Sequence, residues 1–257
     1  SSSERSDYVS IAYQKRLDRN IKKLKDSYFN TYQKLGAKQS DFESLLTMMK
    51  DRYEERSEEL QNLDKRKKTW YMSRNMIGYM VYIDLFSDNL KKLPSTIPYL
   101  KELGISYVHF MPLLKAREGE NDGGYAVEDY LDVSSELGTI DDLELVLEQF
   151  RHANIDVCID YVVNHTADTH EWAKKALQGD PFYQDMYLMY DDRTMPDLFD
   201  QHVPEVLPDR FPGNFTYKKE IKKFVFTSFS DFQWDLNFKN PYVFEQMIST
   251  MLKLANK

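Results

Sequence analysis

The sequence predicts an α/β protein whose parallel sheet is preceded by a helical segment. Three observations carry that reading. Apolar residues recur at helical spacing through the first 70 or so positions. From Asn75 onward, short apolar runs alternate with amphipathic stretches as strand, helix, strand, helix, strand. Between Thr166 and about Trp234 this rhythm is interrupted by an aromatic, acidic stretch holding five of the nine prolines.

The elements follow in order. Ile11, Tyr13, Leu17, Ile21, Leu24 and Tyr28 mark one face of a long helix from Val9 to about Leu35, with Gly36 as its stop. A second helix is expected from about Asp41 to Leu63, with Phe42, Leu45, Leu46, Met49, Tyr53 and Leu60 on one side and a glutamate-rich opposite face. Strands are expected at Tyr79–Phe86, Tyr107–Leu114 and Asp156–Val163, and helices at Pro94–Leu103 and Ile140–His152. Thr139 followed three residues later by Asp142 reads as a capping box for the second of these helices. Nearly continuous apolar strands joined by helices indicate parallel pairing, as in a barrel or a doubly wound sheet. Helical order returns at Asn240-Pro241, an N-cap followed by proline at the first position.

Composition narrows the function classes. The 257 residues carry 34 Lys and Arg against 42 Asp and Glu, a net charge of −8. Residues 1–70 hold +4 of that balance and residues 71–257 hold −12, so the half that bears the motifs is strongly acidic. Nucleic acid is excluded as an expected partner. The run Lys65-Arg66-Lys67-Lys68 reads as a solvated helix end. No apolar run approaches the ~20 residues that cross a bilayer, so no membrane partner is expected. Ser1 to Ser6 lacks an apolar stretch behind it, and the expected compartment is the cytoplasm. Cys158 is the single cysteine, which excludes an intramolecular disulfide and a cysteine metal site; it reads as a small buried hydrophobe.

Chemistry in parallel α/β barrels gathers where the strands' C-terminal ends meet the following loops. Three polar clusters fall at such positions. Asp84 lies at the first, Asn121-Asp122-Gly123-Gly124-Tyr125 follows the second, and Asp160 to His165 closes the third. Taken singly, a polar residue at a strand end is most often a cap or a loop hydrogen-bonder. Taken together, at equivalent topological places, these residues point to one shared site.

The same residues carry a family resemblance. Asp160 to Thr166, DYVVNHT, resembles the first conserved region of the α-amylase superfamily. Gly123 to Tyr130, GGYAVEDY, is similar to the motif after that family's second strand, and Gln233 to Asn237, QWDLN, resembles the motif closing its inserted B domain. HEW at His170–Trp172 and GDPFY at Gly179–Tyr183 extend the likeness over essentially the whole chain. Within the superfamily the helical preface, the DGGYAV form and the stretch FTSFSDFQWDLNFKNPYVF are similar to the amylosucrases.

The resemblance implies a partial (β/α)8 TIM barrel. Residues 1–75 would form an N-terminal helical domain, 76–167 the first three barrel strands, 168–233 an inserted B domain, and 234–257 the third barrel helix. It implies retaining glycosidic chemistry, with a nucleophilic carboxylate and an acid standing ~5 Å apart. Sucrose would be the substrate, its fructose released and its glucosyl unit passed to an α-glucan or to water. Tyr125 would stack under the glucosyl ring, and His165 would hydrogen-bond the sugar hydroxyls. Asp122 would pair with an arginine from the other half of the barrel, Phe229 would wall the pocket, and Asp160 and Asn164 would support it. The family's nucleophile, acid/base and third carboxylate come from its fourth, fifth and seventh strands, so no catalytic residue is expected among these 257. The chain alone is therefore expected to be inactive, and to self-associate through open barrel edges. No cofactor is implied, and no metal-ligand cluster is seen although relatives commonly hold calcium. Pro204 departs from the basic residue expected just before Glu205-Val206-Leu207-Pro208-Asp209, which disfavours polymer elongation more than sucrose cleavage. A sucrose hydrolase, an α-glucosidase or α-amylase, and a non-catalytic carbohydrate-binding or interaction module remain alternatives; Tyr125 and His165 weigh against the last.

Overall fold

The structure is a computed structural model that describes residues 2–66, 69–206 and 213–257. Lys67, Lys68 and the Leu207-Pro208-Asp209 part of the acceptor-side segment lie outside the described residues. The chain divides into two compact units, one formed by the N-terminal helices with Phe238–Asn256 and the other by residues 69–237 with Lys257.

In the first unit a 31-residue helix, Ser2–Tyr32, runs into a 3-10 turn at Gln33–Leu35. It stops at Gly36, whose φ of 89° is the left-handed conformation that glycine adopts without penalty. The helix expected from Asp41 to Leu63 is two helices, Gln39–Glu55 and Glu58–Arg66. Arg56 is extended at the break, with φ −69° and ψ 127°. Ser57 Oγ accepts the Leu60 N–H at 3.3 Å, and the Gln61 amide donates to the Arg56 carbonyl at 2.9 Å. A serine followed by Glu58 and Glu59 is a helix start, and here it overrides the apolar periodicity running through it. Tyr28, Tyr32, Phe42, Leu45 and Met48 form the buried core, and Phe244, Ile248 and Leu252 of the helix Pro241–Ala255 pack against it. Burying each such side chain contributes about 2 kcal/mol. The final helix begins as the sequence predicts, with the Asn240 side chain accepting the Tyr242 N–H at 3.0 Å.

The second unit is built on a three-stranded parallel sheet of Gly78–Val81, Tyr107–Phe110 and Asp156–Ile159, in chain order. Each strand is four residues long, shorter than its apolar run. The first ends at Val81, and Ile83–Ser87 curls into a helix, with Phe86 N–H donating to the Tyr82 carbonyl at 3.0 Å. Asp84 consequently does not end a strand; it sits exposed in the first turn of that helix. The second strand stops at Phe110, just before Pro112, which has no N–H for a ladder. Leu114–Ala116 instead pairs antiparallel with Val127–Val133. The expected helix at Pro94–Leu103 is a 3-10 turn, Leu93–Thr96, leading into an α-helix at Ile97–Glu102. Pro98 sits at the start of the latter, where a missing N–H costs least.

Ile140–His152 is helical throughout, and its capping box is formed: Thr139 N–H donates to Asp142 Oδ2 at 2.9 Å and Asp142 N–H to Thr139 Oγ1 at 3.2 Å. It lays Leu143, Val146 and Phe150 toward the core, and the Phe150 ring meets Phe110 of the sheet edge-on, 5.7 Å between centroids. Cys158 is half-buried rather than fully buried, because the third strand is partly open along its whole length.

The interruption expected after the third strand is present. His165–Ala167 pairs antiparallel with Gln233–Asp235, drawing the two ends of the intervening segment together. Asp168 N–H donates to the Phe232 carbonyl at 2.9 Å immediately beyond that pairing. Within the segment, Met189–Tyr190, Lys223–Phe226 and Phe215–Lys218 form an antiparallel sheet, backed by the helix Thr194–His202 through edge-to-face contacts of Phe199 with Phe215 and Phe226.

Candidate active site

The polar residues gather just past the C-terminal ends of the parallel strands. Asp160 is the first residue after the third strand. Its two carboxylate oxygens meet His109 Nε2 at 2.8 Å and the Tyr125 hydroxyl at 3.3 Å. His109 lies within the second strand, so one carboxylate ties two adjacent strand ends to the tyrosine ring. Burial and the Asp160 charge both raise the Tyr125 pKa, which keeps the phenol neutral and donating.

Tyr125 is aimed by an unusual turn. Asp122, Gly123 and Gly124 all have positive φ, 53°, 64° and 94°. The Asn121 side chain accepts the Gly124 N–H at 3.1 Å, closing the turn. A Cβ on Gly124 would stand 2.9 Å from Pro112 Cβ, so the backbone approaches the end of the second strand more closely than any side chain allows.

His165, with 3% of its surface exposed, is the hub. Its Nδ1 lies 3.0 Å from the Asn164 side-chain nitrogen and its Nε2 lies 3.2 Å from the Tyr125 carbonyl. The Tyr125 carbonyl can only accept from Nε2, whereas the amide nitrogens of Asn164 and, 3.1 Å from Nε2, of Gln233 can only donate, so these contacts do not select a single tautomer. A proton at Nδ1 would face the Asn164 amide. Burial, opposed by the Tyr125 carbonyl and the Asp122 charge, lowers the pKa and keeps the ring neutral. The backbone carbonyl of His165 accepts from the Tyr130 hydroxyl at 2.8 Å, as does that of Val162. Phe229 packs on the imidazole, 5.1 Å between ring centroids.

Gln233 closes the cluster. Fully buried, it donates from Nε2 to Asp122 Oδ2 at 3.0 Å and lies 3.1 Å from His165 Nε2. Its Oε1 is held by the Ser230 hydroxyl at 2.6 Å, which fixes the orientation of the amide. Two residues on, Asp235 accepts from the Ser228 N–H and hydroxyl and from Asn164. Burial pushes its carboxyl up to about 6, against the lowering effect of those hydrogen bonds.

Asp122, Tyr125, Asp160, Asn164, His165 and Phe229 therefore stand in one connected network; Asp84 does not join it. Four participants escaped the sequence reading: His109, Ser228, Ser230 and Gln233. A histidine alternating with Val108 and Phe110 in an apolar strand was a legible signal for the first. Gln233 lay inside a motif already noted but carried no charge to draw attention. Among the described residues, no three His, Cys, Asp or Glu side chains are grouped as metal ligands.

Comparison with known proteins gives this arrangement a family. Residues 84–257 match the model of the α-amylase catalytic domain, and the chain belongs to that family. It is 30% identical to Maltase 1 of Drosophila virilis over 210 residues, covering 79% of this chain and 32% of that protein. It is 32% identical to a 4-alpha-glucanotransferase of Thermotoga maritima over 188 residues, 70% of this chain and 40% of the relative. Among solved structures it is similar to an isomaltulose synthase of Erwinia rhapontici NX5 in complex with its natural substrate sucrose. That likeness has a TM-score of 0.61 and 26% identity, over 73% of this chain and 34% of the other. The chain thus spans about a third of the length of most of the relatives it matches. Among the described residues no helix is long and apolar enough to cross a membrane.

Proposed function

We propose that these residues form the glucosyl-gripping part of an α-amylase-family enzyme acting on sucrose in the manner of the amylosucrases. Fructose would leave, and the glucosyl unit would pass to an α-glucan or to water. The observation that supports this most is the convergence of Asp122, Tyr125 and His165 on Gln233 and Asp160 at the ends of the parallel strands. In this reading Tyr125 offers an aromatic face to the apolar face of a pyranose, Asp122 bounds the ring's far side, and Phe229 walls the pocket beside His165. His165, buried with both ring nitrogens engaged by the protein, shapes the pocket rather than hydrogen-bonding the sugar hydroxyls directly, a correction to the sequence expectation. Asp160 and Asn164 hold Tyr125 and His165 in place.

The cluster's own carboxylates are occupied: Asp122 by Gln233, Asp160 by His109 and Tyr125, and Asp235 by Ser228. In this reading none of them is the nucleophile or the acid, and the 257 residues alone are expected to turn over no sucrose. The sheet presents Tyr79, Met80, Tyr82 and Leu85 exposed beside an unpaired strand edge, and the isolated chain is expected to self-associate there.

The test uses the protein expressed from its complete coding sequence, supplied separately with sucrose and maltose. Fructose release from sucrose, with little glucose from maltose, is the expected result. The reverse pattern would move the assignment to an α-glucosidase, a reading favoured by the 30% identity to Maltase 1. Sugar binding without turnover of either would leave a carbohydrate-binding module.

A further inference from the structure

Arg117 ties the glycine turn below Tyr125 to the seam that closes the inserted segment. It follows directly on the strand Leu114–Ala116, and its backbone N–H donates to the Ala126 carbonyl at 3.0 Å, so residues 117–126 form a loop closed at its neck. Its side chain then reaches in two directions. Nη1 donates to the Glu120 carbonyl at 2.9 Å within the loop, and Nε donates to Asp168 Oδ1 at 2.9 Å outside it. The guanidinium also lies over the Phe232 ring, 4.8 Å from its centroid. Asp168 and Phe232 are themselves joined, N–H to carbonyl, at 2.9 Å. One planar cation thus holds the loop and both lips of the seam.

The loop needs holding from outside. Asp122, Gly123 and Gly124 all have positive φ, and at Asp122 an L-residue keeps a left-handed conformation that its own sterics oppose. The Tyr125 hydroxyl guides the ring weakly, through a 3.3 Å contact with Asp160, so the aim of the ring comes from the backbone beneath it. Ala126, the next residue, is fully buried in a cluster with Ala167 and Phe232, and Arg117 covers that cluster through the Phe232 ring. The side chains of Arg117 and Asp168 are 24% and 20% exposed, which sets this pair apart from solvated surface pairs that fix no geometry. Only a guanidinium can fork onto a carboxylate and a carbonyl while stacking on a ring; the ammonium of a lysine cannot.

We propose that Arg117 is a positioning residue for the sugar site: by locking residues 117–126 onto Asp168 and Phe232 it fixes where the Tyr125 ring stands, without touching the sugar. This rests on the reading of Tyr125 as the ring beneath a glucosyl unit, and adds to it the group that sets that ring's place. Displacing a reacting or positioning group by about 1 Å costs up to about a hundredfold in rate, so a loosened loop should cost about tenfold.

The test uses the protein expressed from its complete coding sequence, with a single fluorotyrosine at position 125 and, in a second preparation, at exposed Tyr217. In fluorine NMR, R117Q is expected to shift and broaden the signal at position 125 and to leave that at 217 unchanged. An unmoved signal at 125, or equal changes at both positions, overturns the proposal. Kinetics are then measured on whichever of sucrose and maltose is turned over. R117Q should lower kcat/KM about tenfold in the native background but less than about twofold beside Y125A, because the ring through which it acts is then gone. An equal loss in both backgrounds means a merely structural role and overturns the proposal. Should R117Q fail to fold, R117K and D168N replace it in the same comparisons, with about threefold losses expected. Turnover of neither sugar would sink the sucrose reading, while the fluorine signals would still decide whether Arg117 holds Tyr125.

Discussion

The side-chain amide of Gln233 donates to the carboxylate of Asp122 across 3.0 Å, joining two segments 111 residues apart in the chain. Both ends of that bond sit beside His165, so the pair sets the spacing between the glycine turn and the strand that carries the histidine. Replacing Gln233 by Leu leaves Asp122 and Ser230 unpaired and is expected to cost about 1–3 kcal/mol. Gln233→Glu places two carboxylates against each other and should cost more at pH 7 than the leucine does. Urea titrations at pH 7 and pH 4.5 check this: the glutamate's excess penalty should shrink in acid, and an unchanged penalty would rule out charge repulsion as its cause.

A second expectation concerns the glycine turn. Gly124→Ala meets both a φ of 94° and a Cβ 2.9 Å from Pro112. Gly119→Ala meets a φ of 76° with open space around it. The left-handed conformation alone costs about 1–2 kcal/mol for an L-residue, so Gly119→Ala should lose that much and Gly124→Ala clearly more. Thermal melts of the two variants, side by side, measure the contribution of the close approach.

Acid should act on two buried groups in opposite directions. Burial holds His170 down to about 4, while its Nδ1 accepts the Trp172 N–H at 3.0 Å to start the helix Glu171–Leu177. Between about 6.5 and 4 the unfolded imidazole takes up a proton the folded one refuses, so this group's contribution, complete above pH 6.5, is lost as pH falls. Asp235, raised to about 6, binds a proton when folded that the unfolded carboxyl releases down to about 3.8. Its contribution is complete below 3.8 and lost as pH rises through 6. His170→Asn keeps a capping acceptor and removes the titration; stability should then increase on acidification from pH 6.5 to 4.5 by about 1–2 kcal/mol. Asp235→Asn should show the opposite slope. Parallel slopes in the two variants would contradict these assignments.

Tyr125 separates a ring effect from a hydroxyl effect. Its bond to Asp160 is long, 3.3 Å, so under the proposed sucrose chemistry Tyr125→Phe should reduce kcat/KM by less than about fivefold. Loss of the ring in Tyr125→Ala should reduce it by about a hundredfold or more if the ring carries the glucosyl unit. Equal effects of the two substitutions would place the function in the hydroxyl.

What could be read from the sequence followed local chemistry. The helix Ile140–His152 was legible to the residue because Thr139 and Asp142 announce it and its apolar face has no competitor. Asp122, Tyr125, Asp160 and His165 were legible because motif and topology agreed. The Tyr79–Phe86 run misled: uninterrupted apolar residues do not say where a chain leaves the sheet, and the turn at Tyr82 is made by backbone geometry that any side chain permits. The break at Arg56 was hidden beneath continuous periodicity. Gln233 and Ser230 were invisible for another reason, since a neutral amide and a hydroxyl gain meaning only when the fold delivers Asp122 and His165 to them.

The pairing of His165–Ala167 with Gln233–Asp235 has an evolutionary corollary. Once those six residues are zipped, the excursion between them is a closed loop, and doubling its length would cost only about 0.6 kcal/mol of closure entropy. Residues of that excursion other than Ser228, Phe229 and Ser230, which the site itself uses, are thus freer to drift, lengthen or be exchanged while the histidine at one lip and the glutamine at the other keep their register. Such a seam lets the surroundings of the site diversify without renegotiating the parallel sheet beneath it.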